Sequence, residues 1–186
     1  MDRFISDLHF GHKTIIRFDN RPFKTIEEND QTLIERHNAV VKPTDVTYFL
    51  GDISWHGSKE TKEIFDQMNG KKILIKGNHD RGQYEGIFDE ILPYKEIVVS
   101  GGKTVVLCHY PIHFFNKHYY GAFMFYGHVH NSHEWNMTES LRQDIENIDV
   151  KCNMINVGCM MPYMDYTPKT FTEIVTGYNK WRNRNE

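Results

Sequence analysis

Cysteine is scarce in this chain. Only Cys108, Cys152 and Cys159 occur among 186 residues. They form no Cys-x-x-Cys pair and cannot all be matched, which argues against a disulfide framework or a zinc knuckle. Reduced thiols in or near a cytosolic core are the expectation. Long apolar runs are also missing, so no segment is read as a membrane span. The first residues, Met1-Asp2-Arg3-Phe4-Ile5-Ser6, lead straight into a polar motif and leave no room for a signal peptide. Together these absences point to a cytoplasmic protein. Charge of one sign is lacking too. The formal net charge is −3, so there is no basic footprint of a tight nucleic-acid binder. A nucleic-acid substrate stays open, because bound divalent cations would add positive charge where a phosphate must sit. Internal repeats, low-complexity tracts and linkers are absent.

The length and the 39% hydrophobic content fit one domain, residues 1–186, with a real core. Residues 3–6 read as a short strand and 10–19 as the start of a helix. The clearest helix is 25–41, where Thr25 and Glu28 match a capping box and Leu33, Ile34, His37 and Val40 recur at helical spacing. Residues 46–50 form a buried-type strand, 58–68 a helix with Ser58 as N-cap, and 72–75 a third strand. Strand, helix, strand, helix, strand is the signature of a parallel α/β layer. The second half is richer in strands, at 87–92, 96–100, 104–108, 122–126 and 154–157, with Gly101-Gly102 as a hairpin turn. Residues 170–181 suit an amphipathic helix or a strand and turn. The polar stretch 136–149 reads as a surface excursion.

Histidine is abundant, with eleven residues, and much of it falls in five ordered motifs. These are Asp7-Leu8-His9, Gly51-Asp52, Gly77-Asn78-His79-Asp80, a lone His109 before Tyr110-Pro111, and Gly127-His128-Val129-His130. Each follows a strand candidate, and open α/β sheets place ligands just past strand ends. Carboxylate, imidazole and amide oxygen form a mixed set suited to Mn, Fe, Zn or Ni. An aspartate can bridge two ions, and two ions about 3.5–4 Å apart can clamp a phosphate and activate water.

In residue types and order the five motifs resemble the calcineurin-like metallophosphoesterase superfamily, in particular its small cap-less bacterial and phage members. The resemblance runs from Asp7 to His130. It implies a four-layer α/β/β/α sandwich, with two mixed sheets flanked by helices. It also implies one metal held by Asp7, His9, Asp52 and His130, and a second held by Asp52, Asn78, His109 and His128. His79 would contact phosphate and protonate the leaving oxygen, Asp80 would orient the His79 imidazole, and Asn78 would help hold the phosphate.

The expected activity is hydrolysis of a phosphate ester by metal-activated hydroxide, with phosphodiesters of nucleotide or cyclic-nucleotide type favoured. The expected cofactors are two divalent transition-metal ions, Mn in vitro, with Fe, Zn or Ni as options. The expected partner is a small-molecule phosphate ester, nucleotide or nucleic acid, and no membrane. A nuclease or protein phosphatase on the same site is the alternative, and an idle protein-binding scaffold of the same fold is the reading from another class.

Other residues carry less information. His37, His56, His118 and His133 read as ordinary core or surface histidines. His12 and His113 lie within four residues of a motif histidine and are candidates to line the cleft. Arg17, Arg21 and Arg81 can pair with phosphate, with Arg81 and Arg21 carried as substrate contacts. The aromatic cluster Phe114, Phe115, Tyr119, Tyr120, Phe123, Phe125 and Tyr126 is either core or a stacking wall for a base.

Overall fold

The apolar runs that lead into the motifs become strands of two sheets in the computed structural model, which describes residues 1–82, 84 and 86–184. The first sheet has the order β1 (Asp2–Ile5), β2 (Val46–Phe49), β3 (Lys71–Ile75), β4 (Glu90–Leu92). All its pairings are parallel. Parallel neighbours need crossovers. Between β1 and β2 the crossover carries α1 (Ile15–Phe18) and α2 (Ile26–Val40), and between β2 and β3 it carries α3 (Ser58–Phe65). The second sheet has the order β5 (Tyr94–Val99), β6 (Lys103–Cys108), β7 (Phe123–Tyr126), β8 (Asn153–Asn156). β5 and β6 are an antiparallel hairpin, and the remaining pairs are parallel. Between β7 and β8 runs α4 (His133–Asn147), and α5 (Phe171–Arg182) returns against the sheets.

Aromatic contacts join the layers. Phe4 of β1 meets Phe125 of β7 edge-on at 5.1 Å. Phe65 of α3 packs on Phe49 at 5.2 Å, and Phe171 of α5 packs on Phe123 at 4.9 Å. His37 fits its ordinary core reading. Its ring stacks on Phe49, its Nε2 bonds the Asn69 carbonyl at 2.9 Å, and burial pushes its pKa down to about 4. At one edge the sheets touch directly, because the Ser6 N–H donates to the Val157 carbonyl and the Ser6 carbonyl accepts from the Cys159 N–H.

Three local expectations change and one open alternative is decided. Residues 133–147 are a helix, not a surface excursion. Two of the four buried positions on α4 are Thr138 and Arg142, which hides its apolar period. The Thr25 hydroxyl does accept from Glu28 N–H, but the Glu28 carboxylate accepts from Lys24 N–H, so the reciprocal half of the box is displaced by one residue. A complete box forms instead at Thr170 and Glu173 and decides 170–181 in favour of helix. Gly57, not Ser58, occupies the N-cap of α3.

Candidate metal centre and cleft

Asp7 follows β1, Asp52 follows β2, Asn78 follows β3, His109 follows β6, and His128 and His130 follow β7. Because these strands run parallel within each sheet, the motif loops gather at their carboxyl ends. Two side-chain groups result, Asp7 with His9, Asp52 and His130, and Asp52 with His109 and His128. Within each group the candidate ligand atoms lie within 4.8 Å of one another. Asn78 Oδ1 lies 3.0 Å from His109 Nε2 and joins the second group. The side chains thus gather in space as two groups that could each hold a metal ion, with Asp52 in common.

The backbone is bent to achieve this. Asp7, His9, Asp52, His128 and His130 all have φ between 49° and 70°. Non-glycine residues seldom adopt this left-handed conformation, and it clusters at functional sites. Two glycines make the close packing possible. Gly51 has φ of 86°, and a Cβ there would meet His109 and the Gly77 backbone. A Cβ on Gly127 would run into the Ser6 hydroxyl and the Asp7 carboxylate.

The hydrogen bonds prepare the ligand atoms. His109 Nδ1 donates to the Leu50 carbonyl at 2.7 Å, which turns Nε2 toward Asp52 Oδ2, 3.5 Å away. His130 Nδ1 bonds Asp19 Oδ1 at 2.7 Å, and its Nε2 faces His9 Nε2 at 3.2 Å. His9 Nδ1 in turn meets His12 Nδ1 at 3.4 Å. Fixing Nδ1 in this way leaves Nε2 free to coordinate. Burial, then the neighbouring His130, holds His9 far below the usual histidine range. Burial also lowers His128. His130 moves the other way: burial opposes its charge, but the Asp19 bond and the Asp7 and Asp19 carboxylates raise it. Burial, with Asp7 and Asp80 nearby, raises Asp52 despite the opposing effect of His109. Imidazole nitrogens and crowded carboxylate oxygens gathered at common centres are a donor set that fits divalent cations.

The carboxylate of Asp52 divides its work. Oδ1 accepts from His79 N–H at 2.9 Å, while Oδ2 faces both His9 and His109. Oδ2 is thus the oxygen that faces a histidine of each group.

Asp80 does not orient the His79 ring. Its buried carboxylate accepts from the N–H groups of Asp52, Ile53 and Gly77 at 2.7–3.0 Å. Both oxygens are spent on tying two motif loops together. Arg21 is also corrected as a substrate contact. Its enclosed guanidinium bonds the Asp7 and Leu8 carbonyls, Asn29 and Asp19, and so braces the first motif from behind. His113 bonds the Thr138 carbonyl of α4 and lines neither cavity of the cleft. His12 does line it, beside His9. His79 and Arg81 are exposed and share a cavity wall. Of the aromatic cluster, Phe115, Phe125 and Tyr126 are core, while Phe114, Tyr119 and Tyr120 are exposed.

Asp19 is the contributor that motif reading misses. It joins His130 to Arg21, and so couples the first and fifth motifs. The contact spans 111 residues, and no local spacing announces it. Removing such a partner of a metal-binding histidine typically costs about 10- to 100-fold in metal affinity. Asp19→Asn is expected to weaken Mn²⁺ binding by that factor in a calorimetric titration, while Asp165→Asn leaves it unchanged.

An α/β sandwich carrying two convergent Asp/His groups at its strand ends defines a metallophosphoesterase-type protein. The chain belongs to the calcineurin-like phosphoesterase superfamily, whose domain model matches residues 3–176. It is similar to the uncharacterized protein MJ1445 of Methanocaldococcus jannaschii, at 36% identity over 131 residues, 69% of each chain. The Gene 66 protein of Mycobacterium phage L5 is 33% identical over 129 residues, covering 58% of this chain and 62% of that protein. The crystal structure of AQ665, a protein of unknown function from Aquifex aeolicus, superposes with a TM-score of 0.72 at 30% identity. That match covers 95% of this chain and 98% of the other. Among the described residues, no helix is long and apolar enough to cross a membrane.

Proposed function

We propose that this protein hydrolyses phosphodiesters at a dinuclear metal centre. The observation that carries the choice of diester is the shape of the cleft. A cavity of about 520 Å³ lined by His9, Asp52, Trp55, His79, His128 and His130 adjoins a second of about 390 Å³ lined by Trp55, His79 and Arg81. Both have His79 and Trp55 in their walls. A diester has two limbs to place around its phosphorus, and a monoester has one.

Asp7, His9, Asp52 and His130 would hold one ion, and Asp52, Asn78, His109 and His128 the other. Bound there, two divalent ions supply charge for the phosphate oxygens and lower the pKa of water toward neutrality. Mn, Fe, Zn and Ni all suit the donors. Asn78 helps position the phosphate. His79, exposed at the junction of the cavities, donates a proton to the departing oxygen. Arg81 faces the limb in the smaller cavity and can pair with an anionic group there. Asp80 acts through the backbone by holding the Asp52 and Gly77 loops in register. The substrate expected from this arrangement is a nucleotide, cyclic nucleotide or nucleic-acid end.

A substrate panel with added Mn²⁺ tests the reading. It would contain bis(p-nitrophenyl) phosphate, a 2′,3′-cyclic nucleotide, p-nitrophenyl phosphate, single-stranded DNA and RNA, and a phosphopeptide. Diesters should exceed p-nitrophenyl phosphate in kcat/KM by about tenfold or more, equivalent to ~1.4 kcal/mol of transition-state preference. Chelation should abolish turnover, and Mn²⁺ should restore it. Preference for the phosphopeptide would favour a protein phosphatase. No turnover together with no tight metal would favour a binding scaffold.

A further inference from the structure

The larger cavity offers more room than a phosphate needs, and its volume lies in the range of small-molecule sites. Beyond the candidate ligands its wall is formed by Ile15, Phe18 and Trp55, with His12 and Arg17 beside them. Two of these are large aromatics left open to solvent, Trp55 at 41% exposure and Phe18 at 70%. A single exposed aromatic needs no explanation. Two converging on one cavity beside the same ligands do.

Their anchoring is specific. Phe18 stands edge-on to His130 at 5.6 Å. The Trp55 indole lies parallel to the His12 ring at 4.0 Å, with 4° between planes. It also touches His79 at 4.5 Å and His9 at 4.9 Å. The His12 ring is itself held, since its Nε2 bonds the Thr14 hydroxyl at 2.8 Å. An indole fixed in plane by such a stack loses little freedom when another flat group docks nearby, which is the economy of a preorganised site.

We infer that this cavity is a slot for a nucleobase borne on the scissile phosphate, with Trp55 and Phe18 as its stacking surfaces. A flat π-system suits exposed aromatic rings. A sugar limb alone would call for a more polar lining, and an acyl limb would leave Arg17 without a complement. Arg17 can meet acceptor atoms on the ring edge. The inference rests on the phosphodiesterase reading for the place of the phosphate, and it adds what the site recognises on the limb.

The test compares AMP with ribose 5-phosphate, which keeps the phosphate and the sugar and lacks the base. Binding to the Mn²⁺-loaded protein is followed by calorimetry and by tryptophan emission. AMP should bind about 5- to 150-fold more tightly, the range given by stacking of one base on aromatic side chains. It should quench an emission component that is missing in Trp55→Phe. Phe18→Ala should narrow the ratio of the two affinities severalfold, and Phe18→Trp should restore it. Equal affinities in the unmodified protein would overturn the slot, as would a ratio that survives in both Phe18→Ala and Trp55→Leu. Preference for AMP with no diester turnover would sink the phosphodiesterase reading and leave the slot standing. Diester turnover without base preference would do the reverse.

Discussion

Asp52→Asn is expected to lose at least one of two bound divalent ions per chain and to lower diester turnover by about 10³-fold, several kcal/mol of transition-state stabilisation. The reason lies in how the carboxylate is used. Oδ1 accepts from His79 N–H, and Oδ2 faces both His9 and His109. An amide can satisfy only one of these demands. With its oxygen toward His79 N–H, its NH₂ group points into both ligand groups and repels cations. Flipped, it sets N–H against N–H at His79. Metal analysis of the purified variant, beside steady-state rates, checks this. Two ions retained at full affinity would rule out Asp52 as the shared ligand.

His79→Ala should separate chemistry from metal binding. For a 2′,3′-cyclic nucleotide, whose leaving group is a ribose hydroxyl that needs a proton, the loss in kcat should be about 10²- to 10⁴-fold, the usual worth of a positioned acid. For bis(p-nitrophenyl) phosphate the leaving phenolate departs readily, and the loss should stay below about tenfold. Metal content should be unchanged, since His79 lies outside both ligand groups. An equal loss on both substrates would assign His79 to phosphate binding instead of proton donation. A full rate on the cyclic nucleotide would remove it from the mechanism.

The motifs are the legible part of this protein, for a physical reason. A metal-binding loop at a strand end demands particular residue types at fixed short spacing. The pair His128 and His130, the glycines at 51, 77 and 127 and the preceding apolar strands are all local. The partition of ligands therefore travels with the motifs. The supports are not local. Asp19 reaches His130 across 111 residues, and Arg21 grips the carbonyls of Asp7 and Leu8 after a reversal of the chain. Arginine beside a phosphate motif invites a substrate role, and only burial reveals a brace. Asp80 misleads in the same way. Its place next to His79 suggests a side-chain partner, yet a buried carboxylate within reach of three free N–H groups bonds those. The helix α4 is hidden because Thr138 and Arg142 occupy its inner face. Trp55 carries one faint signal, a large aromatic three residues beyond the Gly-Asp motif, and nothing announces Phe18.

Asp7, His9, Asp52, His128 and His130 all sit at positive φ. Each such L-residue carries on the order of 1–2 kcal/mol of backbone cost, which glycine at the same position would largely relieve. Against this cost, Asp52 holds His79 N–H, Asp7 holds His128 N–H and His130 holds Asp19, so glycine would relieve the backbone and leave those partners unpaired. The five bent positions therefore trade backbone ease for bonds that tie the first, second and fifth motifs to their neighbours, and a single glycine at any of them would loosen the loops before it touched the sheets.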